Sequence, residues 1–222
     1  IFRHLRLSIV VLAALPVLAA DFPSLQPLVD AAEANTTLVP PPGTYSGSVY
    51  VDKPLVIDGE GKVTLDAGGK GSVIYLETDG ATIRNLRLTN SGNSHNDLDS
   101  GVQVRGNFNV VKDNTIDDCL FGIDLQQSEF NIVRRNKISS KDVDLGMRGD
   151  AVRLWYSFHN QITDNTIRHS RDTVVWYSKD NVIARNDARY GRYSLHFMYS
   201  QENLIEENHY SHNSVGNLLM YS

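Results

Sequence analysis

The sequence predicts an all-β protein, a parallel β-helix with coils of about 22 residues and a short N-terminal capping helix. An Asn-bounded hexapeptide recurs five times, a Tyr-Ser signature recurs at the same interval, and no unit shows an extended helical stripe. Asn, Asp, Gly and Ser separate short alternating stretches, which is typical of strands and turns. The hexapeptides are NVVKDN from Asn109, NIVRRN from Asn131, NQITDN from Asn160, NVIARN from Asn181 and NLIEEN from Asn203.

The N-terminus is predicted to be an export signal over residues 1–20. A basic start with Arg3 and Arg6 precedes an apolar run over residues 7–18, and Val17 and Ala19 stand at the −3 and −1 positions of a cleavage point. This is the three-part layout of a signal peptide, and the run is short for a membrane span of about 20 residues. We therefore expect an exported protein with one β-helix domain over residues 21–222 and no membrane span after cleavage.

The next elements are a helix and the first coils. The stretch SLQPLVDAAEA is predicted to form one short helix with Ser24 as its N-cap, covering the open end of the solenoid. Further along, LVIDGEGKVTLDA and ATIRNLRLTNSG are typical of strand, turn and strand, with Leu86 at the position where later coils carry Asn.

The later coils define the repeat. The hexapeptides follow one another at steps of 22, 29, 21 and 22 residues, and the step of 29 contains SSKDVDLGMRGD, which indicates an inserted loop. In a parallel β-helix, equivalent residues of adjacent coils lie about 4.8 Å apart. The second Asn of each hexapeptide is therefore predicted to join a hydrogen-bonded ladder. Its members are Asn114, Asn136, Asn165, Asn186 and Asn208.

Composition limits the function classes. The formal net charge is −5, without the clustered Lys and Arg typical of nucleic-acid binding, so no nucleic-acid partner is expected. The single cysteine, Cys119, excludes an internal disulfide framework and is expected to be a small buried filler.

The strand before each repeated Tyr is predicted to alternate inward and outward side chains. Residues two and four before the Tyr should face the core, and residues one and three before it should face out. The inward pairs are Val152 and Leu154, Thr173 and Val175, Leu195 and Phe197, and Asn217 and Leu219. One outward column is Gln103, Asp124, Arg153, Val174, His196 and Leu218, and the other is Arg105, Gln126, Trp155, Trp176, Met198 and Met220.

The last coils place Trp, Met and His on this outward face, which has two interpretations. Trp155, Trp176, Met198 and Met220, hereafter the Trp/Met column, suit a partner-binding surface. Alternatively, His196, Met198 and Met220 form a soft metal site, because thioether and imidazole suit Cu(I) and disfavour calcium or magnesium. The two interpretations are compatible.

These residues also carry a family resemblance. In order, RGDAVRLWYS, SRDTVVWYS, HFMYS and NSVGNLLMYS resemble the NosD family of periplasmic copper-binding β-helix proteins of nitrous oxide reductase maturation. The resemblance implies a right-handed parallel β-helix in the periplasm. It also implies partners: the membrane and ATPase subunits of an ABC transporter, a copper chaperone and apo nitrous oxide reductase. Family members are longer, so an N-terminal fragment is expected here.

Two other functions remain open. Many parallel β-helices resemble polysaccharide lyases and epimerases, whose chemistry needs convergent carboxylates or a base beside a charge neutraliser. The candidates for that chemistry are Asp124, Asp150, Arg153, Asp172 and His196, although a surface ion pair accounts for Asp124 with Arg153. The third function is a metal-free scaffold for protein partners. The expected function is the copper one, and no catalytic residue is expected.

Overall fold

The structure is a computed structural model that describes residues 22–222. The export signal predicted over residues 1–20 lies outside the described residues. Within the described part of the chain, no helix is long and apolar enough to cross a membrane.

The described residues form one α-helix, one 3-10 helix and a long series of short strands. The α-helix, α1, is Gln26–Ala31, and the 3-10 helix is Leu145–Met147. The strands are β1 Thr37–Leu38, β2 Gly43–Ser46, β3 Val49–Val51, β4 Val56–Asp66, β5 Ile74–Leu76, β6 Thr82–Thr89, β7 Ser100–Val104, β8 Val110–Lys112, β9 Thr115–Asp117, β10 Phe121–Gln126, β11 Ile132–Arg134, β12 Lys137–Ser139, β13 Val152–Trp155, β14 Gln161–Thr163, β15 Thr166–Arg168, β16 Asp172–Trp176, β17 Val182–Ala184, β18 Asp187–Arg189, β19 Tyr193–Met198, β20 Leu204–Glu206, β21 His209–Ser211 and β22 Val215–Met220.

These strands stack into a parallel β-helix of about eight turns, as predicted. One face has the strand order β3-β5-β7-β10-β13-β16-β19-β22, and all its pairings are parallel. The other two faces share β4 and β6, from which β8-β11-β14-β17-β20 and β9-β12-β15-β18-β21 diverge. The predicted loop insertion is also confirmed, because the 3-10 helix lies between β12 and β13.

The core fills the inside of the coils with branched aliphatic residues. Ile83, Ile123 and Leu154 are completely buried members of one continuous cluster. The predicted inward residues Val152, Val175 and Phe197 belong to the same cluster. Burial of such side chains stabilises a fold by about 1.5–3 kcal/mol each.

The predicted Asn ladder is confirmed at the turn between two of the faces. Asn114 Nδ2 donates to Asn136 Oδ1 at 3.1 Å, and Asn186 Nδ2 donates to Asn208 Oδ1 at 3.0 Å. Leu86 occupies the ladder position in the preceding coil and has no amide side chain. Its backbone N–H alone donates to Asn114 Oδ1, at 3.1 Å. The first Asn of each hexapeptide forms a second ladder that the sequence interpretation missed; for example, Asn131 Nδ2 donates to Asn160 Oδ1 at 3.0 Å.

The capping helix differs from its prediction at the N-cap, which is Leu25 instead of Ser24. The backbone of Ser24 bridges to Ser46 of β2, so Ser24 extends the first coil and the helix begins later. Its hydroxyl still accepts from the Gln26 N–H at 3.2 Å. Leu25 and Val29 are buried in the core cluster, so the α1 segment covers the first coils as predicted.

Candidate functional site

The strands β16, β19 and β22 bring the predicted site residues together on one face. Met198 pairs with Met220 in the parallel ladder, and Trp176 pairs with Met198 from the other side. His196 occupies the neighbouring outward column, between Val174 and Leu218. The register on which the site prediction depends is therefore confirmed.

A β-bulge precedes His196. The ladder between β16 and β19 pairs Asp172 with Tyr193 and then Val174 with His196, so β19 holds one extra residue. Bulges re-aim side chains and are frequent next to functional sites. Here the bulge places the aromatic ring of Tyr193 beside the imidazole of His196.

The imidazole of His196 is buried and has no hydrogen-bond partner. The residue is 7% exposed, and neither ring nitrogen has a partner in the described part of the chain. The rings of Trp176 and Tyr193 meet it edge to face, with centroids 5.2 and 5.3 Å away. The nearest carboxylate is Asp172, whose Oδ2 lies 3.9 Å from Nδ1. A buried polar group without a partner is costly, so His196 is a candidate ligand.

Electrostatics keep this imidazole neutral at pH 7. Burial lowers the pKa of His196, and the positive charges of Arg192 and Arg171 lower it further, against the opposing effect of Asp172. A neutral imidazole carries one lone pair, which is the form that binds a metal ion.

The two thioethers are more accessible than the imidazole. Met198 is half-buried, and Met220 is 38% exposed. Their strands lie about 4.8 Å apart, and His196 stands two residues before Met198, about 7 Å along the strand. One buried nitrogen and two sulfurs thus face outward from the same part of the sheet. Among the described residues, no group of three or more His, Cys, Asp or Glu side chains could hold a metal ion.

Cys119 is not a candidate ligand. It is completely buried in the core cluster, as predicted, and burial raises the pKa of its thiol to about 12. The thiolate that would bind metal is therefore absent at neutral pH.

An ion-pair network lines the same face beside His196. Asp124, which is fully buried, pairs with Arg105 and with Arg153 at 2.7 Å each. Asp150 pairs with Arg171 at 3.0 Å, and Asp172 pairs with Arg192. The predicted pairing of Asp124 with Arg153 is therefore confirmed, but its location at the surface is wrong, because the Asp124 carboxylate is fully buried.

This network accounts for the carboxylates that were candidates for sugar chemistry. Each of Asp124, Asp150 and Asp172 is held by at least one arginine at ion-pair distance. A catalytic acid or base has to reach a substrate proton within hydrogen-bond distance. These acids instead neutralise half-buried arginines, which favours a structural role.

Asp150 gives a testable pH dependence. Burial raises the pKa of its carboxyl from 3.8 to about 6. The folded protein therefore binds this proton more tightly than the unfolded chain, and the stabilisation is lost as the pH rises from 3.8 through about 6. Between pH 4 and 7 we expect wild type to lose about 2 kcal/mol of stability relative to Asp150→Asn.

Urea unfolding of both proteins across this pH range measures the difference. The exposed Asp144→Asn variant is the control and should parallel wild type. Parallel profiles for wild type and Asp150→Asn would contradict the assignment.

The Trp/Met column is less exposed than predicted. Trp155, Trp176 and Met198 are half-buried, since each packs against the next: the two indole centroids are 5.8 Å apart. The Arg153 guanidinium also covers the Trp155 ring, 4.8 Å from its centroid.

A more exposed aromatic column adjoins the Trp/Met column. The repeated tyrosines stack ring on ring, with centroids 4.9–5.2 Å apart. The sequence interpretation used their spacing but not this stacking, although identical aromatics at a coil interval are the signal for it. The members of this tyrosine ladder are Tyr156, Tyr177, Tyr199 and Tyr221.

The sequence interpretation also missed the surroundings of His196. Tyr193, Arg192 and Asp172 form most of its contacts, together with the predicted Trp176. The sequence does contain a signal for the bulge. Asp172 stands five residues before Tyr177, whereas its partner Tyr193 stands six residues before Tyr199. That extra residue is the bulge.

The chain is similar to known proteins. Residues 136–222 match the family model described as "Periplasmic copper-binding protein (NosD)". The "Probable ABC transporter binding protein NosD" of Pseudomonas aeruginosa is 29% identical over 133 residues, which are 59% of this chain and 31% of that protein. The match thus spans about a third of that relative's length. The predicted resemblance to the NosD family is confirmed.

A solved structure shows the fold. An alginate lyase from Paenibacillus sp. str. FPU-7 superposes with a TM-score of 0.57 at 15% identity, covering 85% of this chain and 95% of that one. At this identity the likeness concerns the β-helix and not the activity.

Proposed function

We propose that this NosD-type chain is a periplasmic accessory protein that binds copper as Cu(I) at His196, Met198 and Met220 and passes it on. The observation that carries the proposal is the buried, unpartnered imidazole of His196. It lies beside two register-paired thioethers, within the segment that matches the copper-binding family. The protein would be exported by the signal predicted over residues 1–20.

The ligand chemistry favours Cu(I). Thioether sulfur and neutral imidazole are soft or borderline ligands, and carboxylates or carbonyls suit harder ions. In the oxidising periplasm, thioethers also form no disulfides, unlike thiols. Because the pKa of His196 is lowered, protons compete weakly for its lone pair at neutral pH.

The exposure of the ligands supports transfer and not storage. His196 is buried, whereas Met198 is half-buried although its strand is paired on both sides, with β16 and with β22. A partner can therefore approach the sulfur side and replace one thioether by a ligand of its own. Copper is in this sense the cargo of the protein.

The partners follow from the family and from the surface. We infer that copper moves between this chain, a copper chaperone and apo nitrous oxide reductase, alongside the membrane and ATPase subunits of an ABC transporter. The printed name of the Pseudomonas relative, an ABC transporter binding protein, supports the last of these. The Trp/Met column and the adjoining tyrosine ladder supply the apolar and aromatic surface that interfaces favour.

An anaerobic Cu(I) titration against a chromogenic competitor tests the site. We expect one Cu(I) per chain, and the combined variant His196→Phe, Met198→Leu and Met220→Leu should weaken binding at least about 100-fold, or about 2.7 kcal/mol. The Met→Leu replacements conserve volume and His196→Phe keeps a flat aromatic ring, and circular dichroism checks that the fold persists.

The control is Met147→Leu. Met147 is the third of the three methionines and lies 61% exposed in the inserted loop, away from the site. Its replacement should leave the Cu(I) affinity unchanged. Unchanged affinity of the triple variant would contradict the site, and a wild-type protein that binds no Cu(I) would favour the metal-free scaffold.

A further inference from the structure

Trp176 borders the proposed copper site on two sides. It pairs with Met198 in the parallel ladder, and its ring centroid lies 5.2 Å from that of His196 at an interplanar angle of 84°. The indole is therefore next to one proposed sulfur ligand and to the proposed nitrogen ligand. It belongs to the coil before theirs, so it bounds the site opposite Met220, which belongs to the coil after theirs.

The neighbouring coil shows what such an indole contacts when a cation is available. Trp155 occupies the position of Trp176 one coil earlier, and the guanidinium of Arg153 lies over its ring at 4.8 Å. The residue that pairs with Arg153 in the next coil is Val174, which carries no charge. Among the described residues, no side-chain cation is placed over Trp176, since the cation–π contacts there are Arg153 with Trp155 and Arg192 with Tyr193.

The outward column that contains Arg153 carries a possible metal ligand two coils later. Along this outward column Arg153 is followed by Val174 and then by His196. A cation bound by His196 and Met198 would stand beside the Trp176 indole from the next strand, whereas the Arg153 guanidinium reaches the Trp155 indole from the same strand. The face of tryptophan is the best aromatic partner for a cation, and ligand cations count among its partners.

We infer that Trp176 makes a fourth contact to the bound Cu(I), a cation–π contact through the face of its indole. This inference rests on the proposed copper site. It adds Trp176, which the choice of nitrogen and sulfur ligands does not include. The indole would shield one side of the ion from water while the sulfur side stays open. It would favour monovalent soft cations, because these carry a thin hydration shell that an aromatic face replaces at little cost.

Tryptophan fluorescence tests this contact directly, since the chain has two tryptophans. Trp155→Phe leaves Trp176 as the single indole, and Trp176→Phe leaves Trp155. Titration with Cu(I), and with Ag(I) as a redox-stable probe, should strongly quench the emission of the Trp155→Phe protein. The Trp176→Phe protein should respond weakly, because the Trp155 face is already covered by Arg153.

Affinity provides a second readout. Trp176→Leu should weaken Cu(I) binding about fivefold to thirtyfold, whereas Trp155→Leu should change it less than about twofold. Circular dichroism of each variant checks that the β-helix is intact. The fluorescence experiment uses only Trp-to-Phe changes, so it holds even where a leucine variant fails to fold.

The outcomes separate this inference from the proposed function. If Cu(I) binds stoichiometrically and the Trp176 emission and the Trp176→Leu affinity stay unchanged, the cation–π contact is wrong and the three-ligand site stands. If wild type binds no Cu(I), the site itself is wrong and the contact is refuted with it.

Discussion

Replacement of Asn165 by alanine is expected to lower the free energy of unfolding by about 3–5 kcal/mol. Asn165 is 1% exposed in the middle of the Asn ladder. Its Oδ1 accepts from both the backbone N–H and the side-chain Nδ2 of Asn136 at 3.0 Å. Its Nδ2 donates to Val133 O at 3.0 Å and to Asn186 Oδ1 at 2.9 Å. Alanine removes all four bonds and leaves buried donors and acceptors without partners.

Two comparisons make this result specific. Asn96→Ala replaces an exposed loop asparagine, so urea unfolding should show a change below about 0.5 kcal/mol. Asn165→Asp keeps the acceptor oxygens but places a buried carboxylate oxygen against Val133 O and Asn186 Oδ1, so it should also destabilise the fold. A loss for Asn165→Ala no larger than that for Asn96→Ala would show that the ladder does not hold the coils together.

The second large effect is expected at Asp124. Asp124→Ala should lower the free energy of unfolding by about 3–5 kcal/mol, because Arg105 and Arg153 would remain partly buried without their carboxylate. The less buried counterpart is Asp117, a half-buried carboxylate that pairs with the exposed Arg87 at 3.0 Å. Asp117→Ala should cost about 1 kcal/mol or less, since exposed ion pairs are weak.

Thermal or urea unfolding of the two variants side by side measures this difference. Equal losses for Asp124→Ala and Asp117→Ala would contradict the view that the charge network is part of the packed structure. A selective loss at Asp124 would establish that the side chains on the outer face of β7, β10 and β13 contribute to stability. The strands of the proposed copper site extend the same face.

The sequence was sufficient for the repeat, the stacking register and one Asn ladder. Each of these features follows from a spacing in the sequence. Asn136, Asn165 and Asn186, for example, recur at intervals of one coil, so the parallel strands place them next to one another. The same argument paired Met198 with Met220 correctly. Spacing predicts these features because neighbouring coils impose the same path on the chain.

The degree of burial on the outer face could not be predicted in this way. Alternation separates inward from outward residues, but it does not show what covers an outward residue. His196 and Asp124 face out and are nonetheless 7% and 0% exposed, because the rings of Trp176 and Tyr193 and the side chains of Arg105 and Arg153 close over them. These contacts depend on rotamers and on the bulge before His196, which the repeat does not encode.

The proposed copper site would have a fixed half and an open half. The imidazole of His196 is held between two rings, whereas Met198 is half-buried on the outer face of β19. A rigid nitrogen ligand with an accessible sulfur ligand suits an ion that has to be received and released. The neighbouring tyrosine ladder would then orient the partner that takes the ion.

Anomalous diffraction at the copper edge, from crystals of the protein loaded anaerobically with Cu(I), tests the account most directly. We expect one copper peak between the His196 imidazole and the thioethers of Met198 and Met220, on the outer face of β19 and β22. A fully loaded protein whose copper peak lies elsewhere, for example at Met147 or among the turn histidines, would contradict it.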